Sequence, residues 1–269
     1  MKWQQRANVV QWNHAGTRVA RHGAIAQWFK PRLVAGCLLA YMAGATVQAS
    51  EGPADRSVVD KVYHPYVQAY EQEVEYRYAY FRQPGHIDNN SMTQRLGYGR
   101  AIAPNMALEG YVHAQRDMYD DYHIRGYELE LRYMLTEQGQ YSADWGMLFE
   151  LERTNHLENY ELKTGLLMEK EFTDTSLTLN AMAVVQWGGA VKEEIKGQFR
   201  AQYRYRWLPQ VQPALEYYSG EHYQALGPSL MGVQKFGQMK MLKWELAMIF
   251  GVDQDTVDRT VRFALEYEF

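Results

Sequence analysis

The sequence is poorest in cysteine. Its one cysteine, Cys37, falls inside an N-terminal leader, which leaves the remaining chain without a thiol and excludes disulfides and cysteine-ligated metal from it. It also lacks any run of about 18 apolar residues, so no helix is expected to span a bilayer. Basic charge is scarce after the leader. Residues 1–49 hold Lys2, Arg6, Arg18, Arg21, Lys30 and Arg32 and no acid, leaving 22 basic against 32 acidic residues in the rest. An acidic chain of this kind is a poor partner for nucleic acid.

Motifs for catalysis are equally sparse. The histidines after the leader are His64, His86, His113, His123, His156 and His222; none shows His-x-x-x-His or His-Glu-x-x-His spacing, so no metal centre is expected. Asp117, Asp120, Asp121 and His123 share one expected loop, and Asp253, Asp255 and Asp258 another. Neither alternates ligands toward a closing Glu as a calcium loop does, and solvated loops are expected. A serine hydrolase site needs a base and a third orienting group within reach of the serine. His86 and Ser91 stand at the wrong spacing for this, and no His-x-Ser follows the leader. Met231, Met239, Met241 and Met248 read as packing residues and not as a copper site. No catalytic residue, cofactor or metal is assigned.

The leader itself is legible. Lys30-Pro31-Arg32 precede the apolar run Leu33–Val47, and Val47-Gln48-Ala49 places small residues at a cleavage site. A signal peptide over 1–49 is expected, cut after Ala49. Leu33–Cys37 matches a lipoprotein box by letter, but the apolar run follows the cysteine instead of preceding it. Residues 50–65 are expected to be a short periplasmic lead-in without a core, and 66–269 the folded domain.

What the chain has in abundance is alternation. It is 14% aromatic with 21 tyrosines, at a mean hydropathy of −0.50. The last ten residues set Val261, Phe263, Leu265, Tyr267 and Phe269 against Arg262, Ala264, Glu266 and Glu268, a strand with one apolar and one polar face. Similar segments recur at about 67–82, 91–103, 106–117, 123–135, 144–154, 159–172, 175–188, 194–207, 210–219, 226–236, 239–251 and 258–269. Most are long enough to cross hydrocarbon at a tilt. Tight links follow the second, sixth, eighth and tenth segments; 136–143 is longer, and longer polar links follow the odd ones. Trp145, Trp187, Trp207 and Trp244 fall near segment ends, where headgroup-level aromatics belong. The predicted fold is all-β: a closed antiparallel up-and-down transmembrane barrel of about twelve strands, with short periplasmic turns and longer extracellular loops.

The aromatic-ended terminal strand, with Phe263, Leu265, Tyr267 and Phe269, resembles the C-terminal signature of bacterial outer-membrane β-barrel proteins. The resemblance implies export, contact with the barrel-assembly machinery and residence among outer-membrane lipids of a Gram-negative cell. Gly227–Phe269, with its Gly-Pro turn, basic hairpin, Gly-ended strand and closing Leu-Glu-Tyr-Glu-Phe, also resembles the outer-membrane channel-like family linked to aromatic-compound degradation. This implies passage of small molecules and carries over no residue role.

Phasing the strands by their aromatics places a charged set inside. Lys196, Arg200, Arg204 and Arg206 form a basic ladder on the eighth strand. Glu71, Glu73, Glu75, Glu128, Glu130, Glu150, Glu152, Glu266 and Glu268 line other walls. Pairing of the first and last strands is expected to set Glu71 near Glu268 and Arg77 near Arg262, like with like. The expected function is a monomeric, narrow passive channel for small polar or amphiphilic solutes, with a transverse field across its lumen. A closed accessory barrel, its lumen filled by an Arg/Glu network and its loops offered to a partner, is the alternative. An outer-membrane lipid hydrolase, by analogy with twelve-stranded phospholipases, is a third reading.

Overall fold

Strict alternation commits each segment to bury one face and expose the other, and a sheet of such segments has no free edge only when it closes. The computed structural model shows that closure. It describes residues 59–84, 90–116, 121–155, 158–189, 193–221, 223–237, 240–253 and 256–269. The expected signal peptide lies outside the described residues, as do His86, His156, His222, Asp117, Asp120, Asp255 and Met239. The strands are β1 (Gln72–Arg82), β2 (Ser91–Ala103), β3 (Met106–Arg116), β4 (Tyr122–Met134), β5 (Asp144–Thr154) and β6 (Asn159–Glu171). They continue as β7 (Thr175–Gly188), β8 (Glu194–Tyr205), β9 (Gln212–Gly220), β10 (Tyr223–Lys235), β11 (Met241–Gly251) and β12 (Arg259–Glu268). Each pairs antiparallel with its neighbours in sequence, and β12 returns to β1. Phe269 continues the seam: its N–H donates to the Gln72 carbonyl at 2.8 Å and its own carbonyl accepts from the Gln72 N–H at 3.2 Å.

The outer surface is apolar around the circumference. Leu96, Val112, Leu129, Leu151, Leu162, Ile195, Leu215, Leu226 and Leu246 all stand exposed. The alternate positions are buried and largely charged, among them Glu75, Arg77, Glu130, Glu150, Lys163 and Arg200. This inverts a water-soluble protein, where such a continuous apolar surface is not left open. It is the distribution of a barrel wetted by lipid.

Three features depart from the expected pattern. The first strand begins at Gln72 instead of 67, because Tyr70 takes φ 69° and the chain turns between Gln68 and Glu71. The loop expected through Ala225 shrinks to 221–222, since Tyr223 and Ala225 already point into the lumen and are fully buried. At the end of the barrel that holds the chain terminus, 104–105 and 172–174 are tight and 135–143 is long, as expected, whereas 206–211 is not the tight link expected after the eighth strand. At the opposite, loop-bearing end the longest links are 83–90 and 252–258.

The apolar core is small and lies inside the barrel. Val59 and Val62 pack with Phe81, Tyr218, Tyr223, Ala225, Ala247, Ile249 and Val257 toward the loop end. Tyr63 packs with Leu148, Leu167 and Met182. Thus the described part of the expected lead-in, 59–65, runs within the bore. Hydrogen bonds to seven different strands follow from that position.

Candidate functional site: the charged lumen and its N-terminal segment

The inner wall is built by parity. On β8, Gln198, Arg200 and Gln202 are buried inward, while Ile195 and Tyr203 are exposed outward and Phe199 lies beside Tyr217 at 6.4 Å between ring centroids. Arg204 follows on the inner face and donates to Glu169 at 3.0 Å and Ser176 at 3.1 Å. Lys196 lies nearer the loop end beside Glu194, and Arg206 sits at the terminal rim with Glu171 at 3.2 Å. Glu73, Glu75, Glu128, Glu130, Glu150, Glu152 and Glu268 are buried inward. Glu266 joins them through Lys243 at 2.7 Å, and Glu71 accepts the Gln68 N–H at the terminal rim.

The register sets which charges meet. Glu73 opposes Glu268 and Glu75 opposes Glu266 across the β1–β12 seam, while Arg77 opposes Ala264 and Ala79 opposes Arg262. The expected Glu71–Glu268 and Arg77–Arg262 neighbours are therefore two residues out of step. The shift separates the arginines. Arg77 binds Glu75 at 2.7 Å, and Arg262 reaches Glu216 at 2.7 Å together with Glu245 and the Tyr218 hydroxyl. The seam acids stay together, relieved by Lys243 bonded to Glu266 and Glu268.

Like charges also line up sideways. Glu109, Glu130 and Glu150 are register partners on β3, β4 and β5. Arg77, Arg95 and His113 are partners on β1, β2 and β3. Such rows repel along the sheet and find relief in two ways: Lys163, the register partner of Glu150 on β6, ends the acidic row and donates to Glu150 at 2.6 Å, while diagonally placed Arg95 donates to Glu128 at 3.0 Å and Arg132 pairs with Glu109. His113 lies between Glu128 (3.2 Å) and Glu152 (3.5 Å). These three are close enough to share an ion, but Arg95 already occupies Glu128 and Arg125 approaches Glu152 at 3.8 Å. That donor set is cation-filled, which suits an ion-pair network better than a metal.

Gly97 opens the wall for Tyr111, whose ring lies directly over the space a Cβ would fill. The Tyr111 hydroxyl sits 2.6 Å from Glu109, 2.7 Å from Glu75 and 3.0 Å from Arg77. Gly97→Val is expected to expel the ring and break this junction. A loss of about 1–3 kcal/mol follows from overpacking, to be read from the shift in urea-dependent folding into lipid vesicles.

The sequence reading missed the residues that occupy the middle of the bore. Asp60 accepts from Arg77 and from Arg95, each at 2.9 Å. Burial opposes its ionisation, but the two guanidiniums outweigh burial and hold the carboxyl well below the ordinary range. Lys61 pairs with Glu75 at 3.0 Å and Glu266 at 3.4 Å, and its carbonyl accepts from Arg200 at 2.6 Å. The Tyr63 N–H and carbonyl are both bonded by the Asn180 amide at 2.8 Å. His64 Nδ1 is 2.5 Å from Glu169, and the Tyr66 hydroxyl donates to Asp144 at 3.0 Å. Gly146 leaves room for Pro65, since a Cβ there would come within 3.0 Å of the proline. No periodicity marks this stretch; its only local signal is the crowding of charged and aromatic residues just before β1. Below it, at the terminal end, lies a cavity of about 270 Å³ lined by both signs of charge, including Glu73, Arg132, Arg204, Lys243 and Glu266.

Of the other candidates, Ser91 is buried at the loop end and Met248 is exposed on the lipid side. No protein-family model matches the chain, and no curated protein matches it. Solved structures do. A KdgM porin in complex with disordered oligogalacturonate is 13% identical, with 73% of this chain and 98% of that chain covered at a TM-score of 0.47. The outer membrane protein Omp33 of Acinetobacter baumannii is 11% identical, with 74% and 97% covered at 0.41. OmpT of Vibrio cholerae, with its loop L8 deleted, is 7% identical, with 74% and 98% covered at 0.37. At these values nothing about solute, assembly or partner transfers to this chain.

Proposed function

We propose that the chain is a Gram-negative outer-membrane barrel acting as a narrow, porin-like channel for small polar or amphiphilic solutes. The observation that carries this reading is the inverted distribution of polarity: lipid-compatible outside, charged inside, with a cavity of about 270 Å³ bearing both signs at the terminal end of the bore. A wall of this kind lowers the barrier for solutes that carry charge or a strong dipole and disfavours apolar ones. It is proposed to reach the membrane after cleavage of the signal peptide at Ala49, through the barrel-assembly machinery, and to work as a monomer without enzymatic activity. The proposed pore-lining set is Lys196, Arg200, Arg204, Arg206, Glu71, Glu73, Glu75, Glu128, Glu130, Glu150, Glu152, Glu266 and Glu268, with Phe263, Leu265, Tyr267 and Phe269 as the assembly signature.

A specific observation favours the second reading, a closed accessory barrel. Arg200, Tyr63, Lys163, Gln198 and Gln202 are fully buried across the middle of the bore. Planar-bilayer recording separates the two. Discrete conductance steps are expected from the reconstituted protein. In the double variant Arg200→Gln/Arg204→Gln the reversal potential in a salt gradient is expected to shift toward cations. An unchanged reversal potential removes β8 from the ion path. Silence of both the unchanged chain and a chain lacking the lumen segment leaves the closed barrel standing.

A further inference from the structure

Residues 59–66 are held in the bore by side-chain contacts, and the wall groups they touch have a property in common. Nearly every charged wall group bonded to the segment also has a partner on the wall itself. Arg77 has Asp60 and Glu75; Arg95 has Asp60 and Glu128. Glu266 has Lys61 and Lys243, and Glu169 has His64 and Arg204. Glu75 has Lys61 and Arg77, and Arg200 has the Lys61 carbonyl and Gln198. Removing one member of a buried pair is costly because it strands the other charge. Here withdrawal of the segment leaves Glu75, Glu169, Glu266, Arg77 and Arg95 each with an opposite charge on the wall, Arg200 with the Gln198 amide, and Asn180 facing space that water fills. The apolar hold comes from Val59, Val62, Tyr63 and Pro65. Asp60, Lys61 and His64 gain hydration on leaving.

We propose that residues 59–66 form a displaceable plug, and that the barrel conducts when this segment leaves the bore. The proposal rests on the channel reading above and supplies its regulation. It also accounts for the filled mid-section without making the barrel permanently closed. The last anchors of the segment are Pro65 against Gly146 and the Tyr66 hydroxyl on Asp144, and a covalent tether at the first opposes withdrawal.

The test uses protein exported to and purified from outer membranes, with Cys37→Ser in every form, recorded in planar bilayers. One form lacks residues 51–64. Another carries Pro65→Cys and Gly146→Cys. A Cβ built on Gly146 lies 3.0 Å from that of Pro65, and a disulfide needs about 3.5–4.5 Å, so a small relaxation closes the bond. The deletion is expected to raise the time-averaged current several-fold over the unchanged chain. The oxidised double-cysteine form is expected to fall silent and to recover on reduction. If the deletion and the oxidised form both conduct like the unchanged chain, the plug is wrong and the channel reading survives. If every form is silent, including a folded deletion, the channel reading fails and the plug with it. Should the deletion not fold, the oxidised and reduced recordings decide alone: equal currents overturn the proposal.

Discussion

Replacing Arg262 with methionine is expected to destabilise the barrel by about 3–5 kcal/mol, the range for breaking a buried ion pair from one side. Arg262 is 3% exposed and binds Glu216, Glu245 and Tyr218 together. Its guanidinium lies over the Tyr218 ring at 5.7 Å. Glu216 is fully buried and would keep only neutral partners, so the loss comes mainly from an uncompensated carboxylate. Urea-dependent folding into lipid vesicles measures it. Arg262→Lys should lose less, because charge survives while the forked donor geometry does not. Combining Arg262→Met with Glu216→Gln should recover part of the loss, since the two side chains are coupled. A loss below about 0.5 kcal/mol, the scale of an exposed surface substitution, would mean the network is hydrated and adds little to stability.

Placing arginine at Leu129 should cost about 2–4 kcal/mol, as for a cation at the bilayer midplane on a lipid-facing strand. Leu129 is 50% exposed near the middle of β4, opposite the equally outward Leu151. On a soluble protein the same exposed substitution would be close to neutral. The same assay checks it, with an arginine nearer a strand end, at Ile195, expected to cost less because the head group reaches the interface. Equal and negligible effects at both positions would mean the apolar belt is not in lipid. That result would remove the membrane from the account altogether.

The two substitutions probe opposite faces, and the faces are legible in the sequence. With the aromatics of the eighth strand phased outward, Arg200 falls on the inner face, because successive side chains on a strand have only two directions, and it is buried there while Tyr203 stands exposed. The number of strands was legible too, since turn signals punctuate a regular hairpin rhythm. The seam was not. Shifting β1 against β12 by two residues preserves every in/out assignment, so hydrophobic pattern cannot distinguish the registers. The structure pairs Glu73 with Glu268, and that choice lets Arg77 turn to Asp60.

The alternating letters by themselves determined that the chain rolls into a closed sheet with a greasy exterior and a charged interior, because a two-fold repeat is a local property that needs no partner to be read. Only the tertiary structure decided what fills that interior. Tyr63 meets Asn180 at a separation of 117 residues, and Lys61 meets Glu266 at 205. A segment without periodicity carries no record of partners so distant; its place is set by charges that the closed wall brings together.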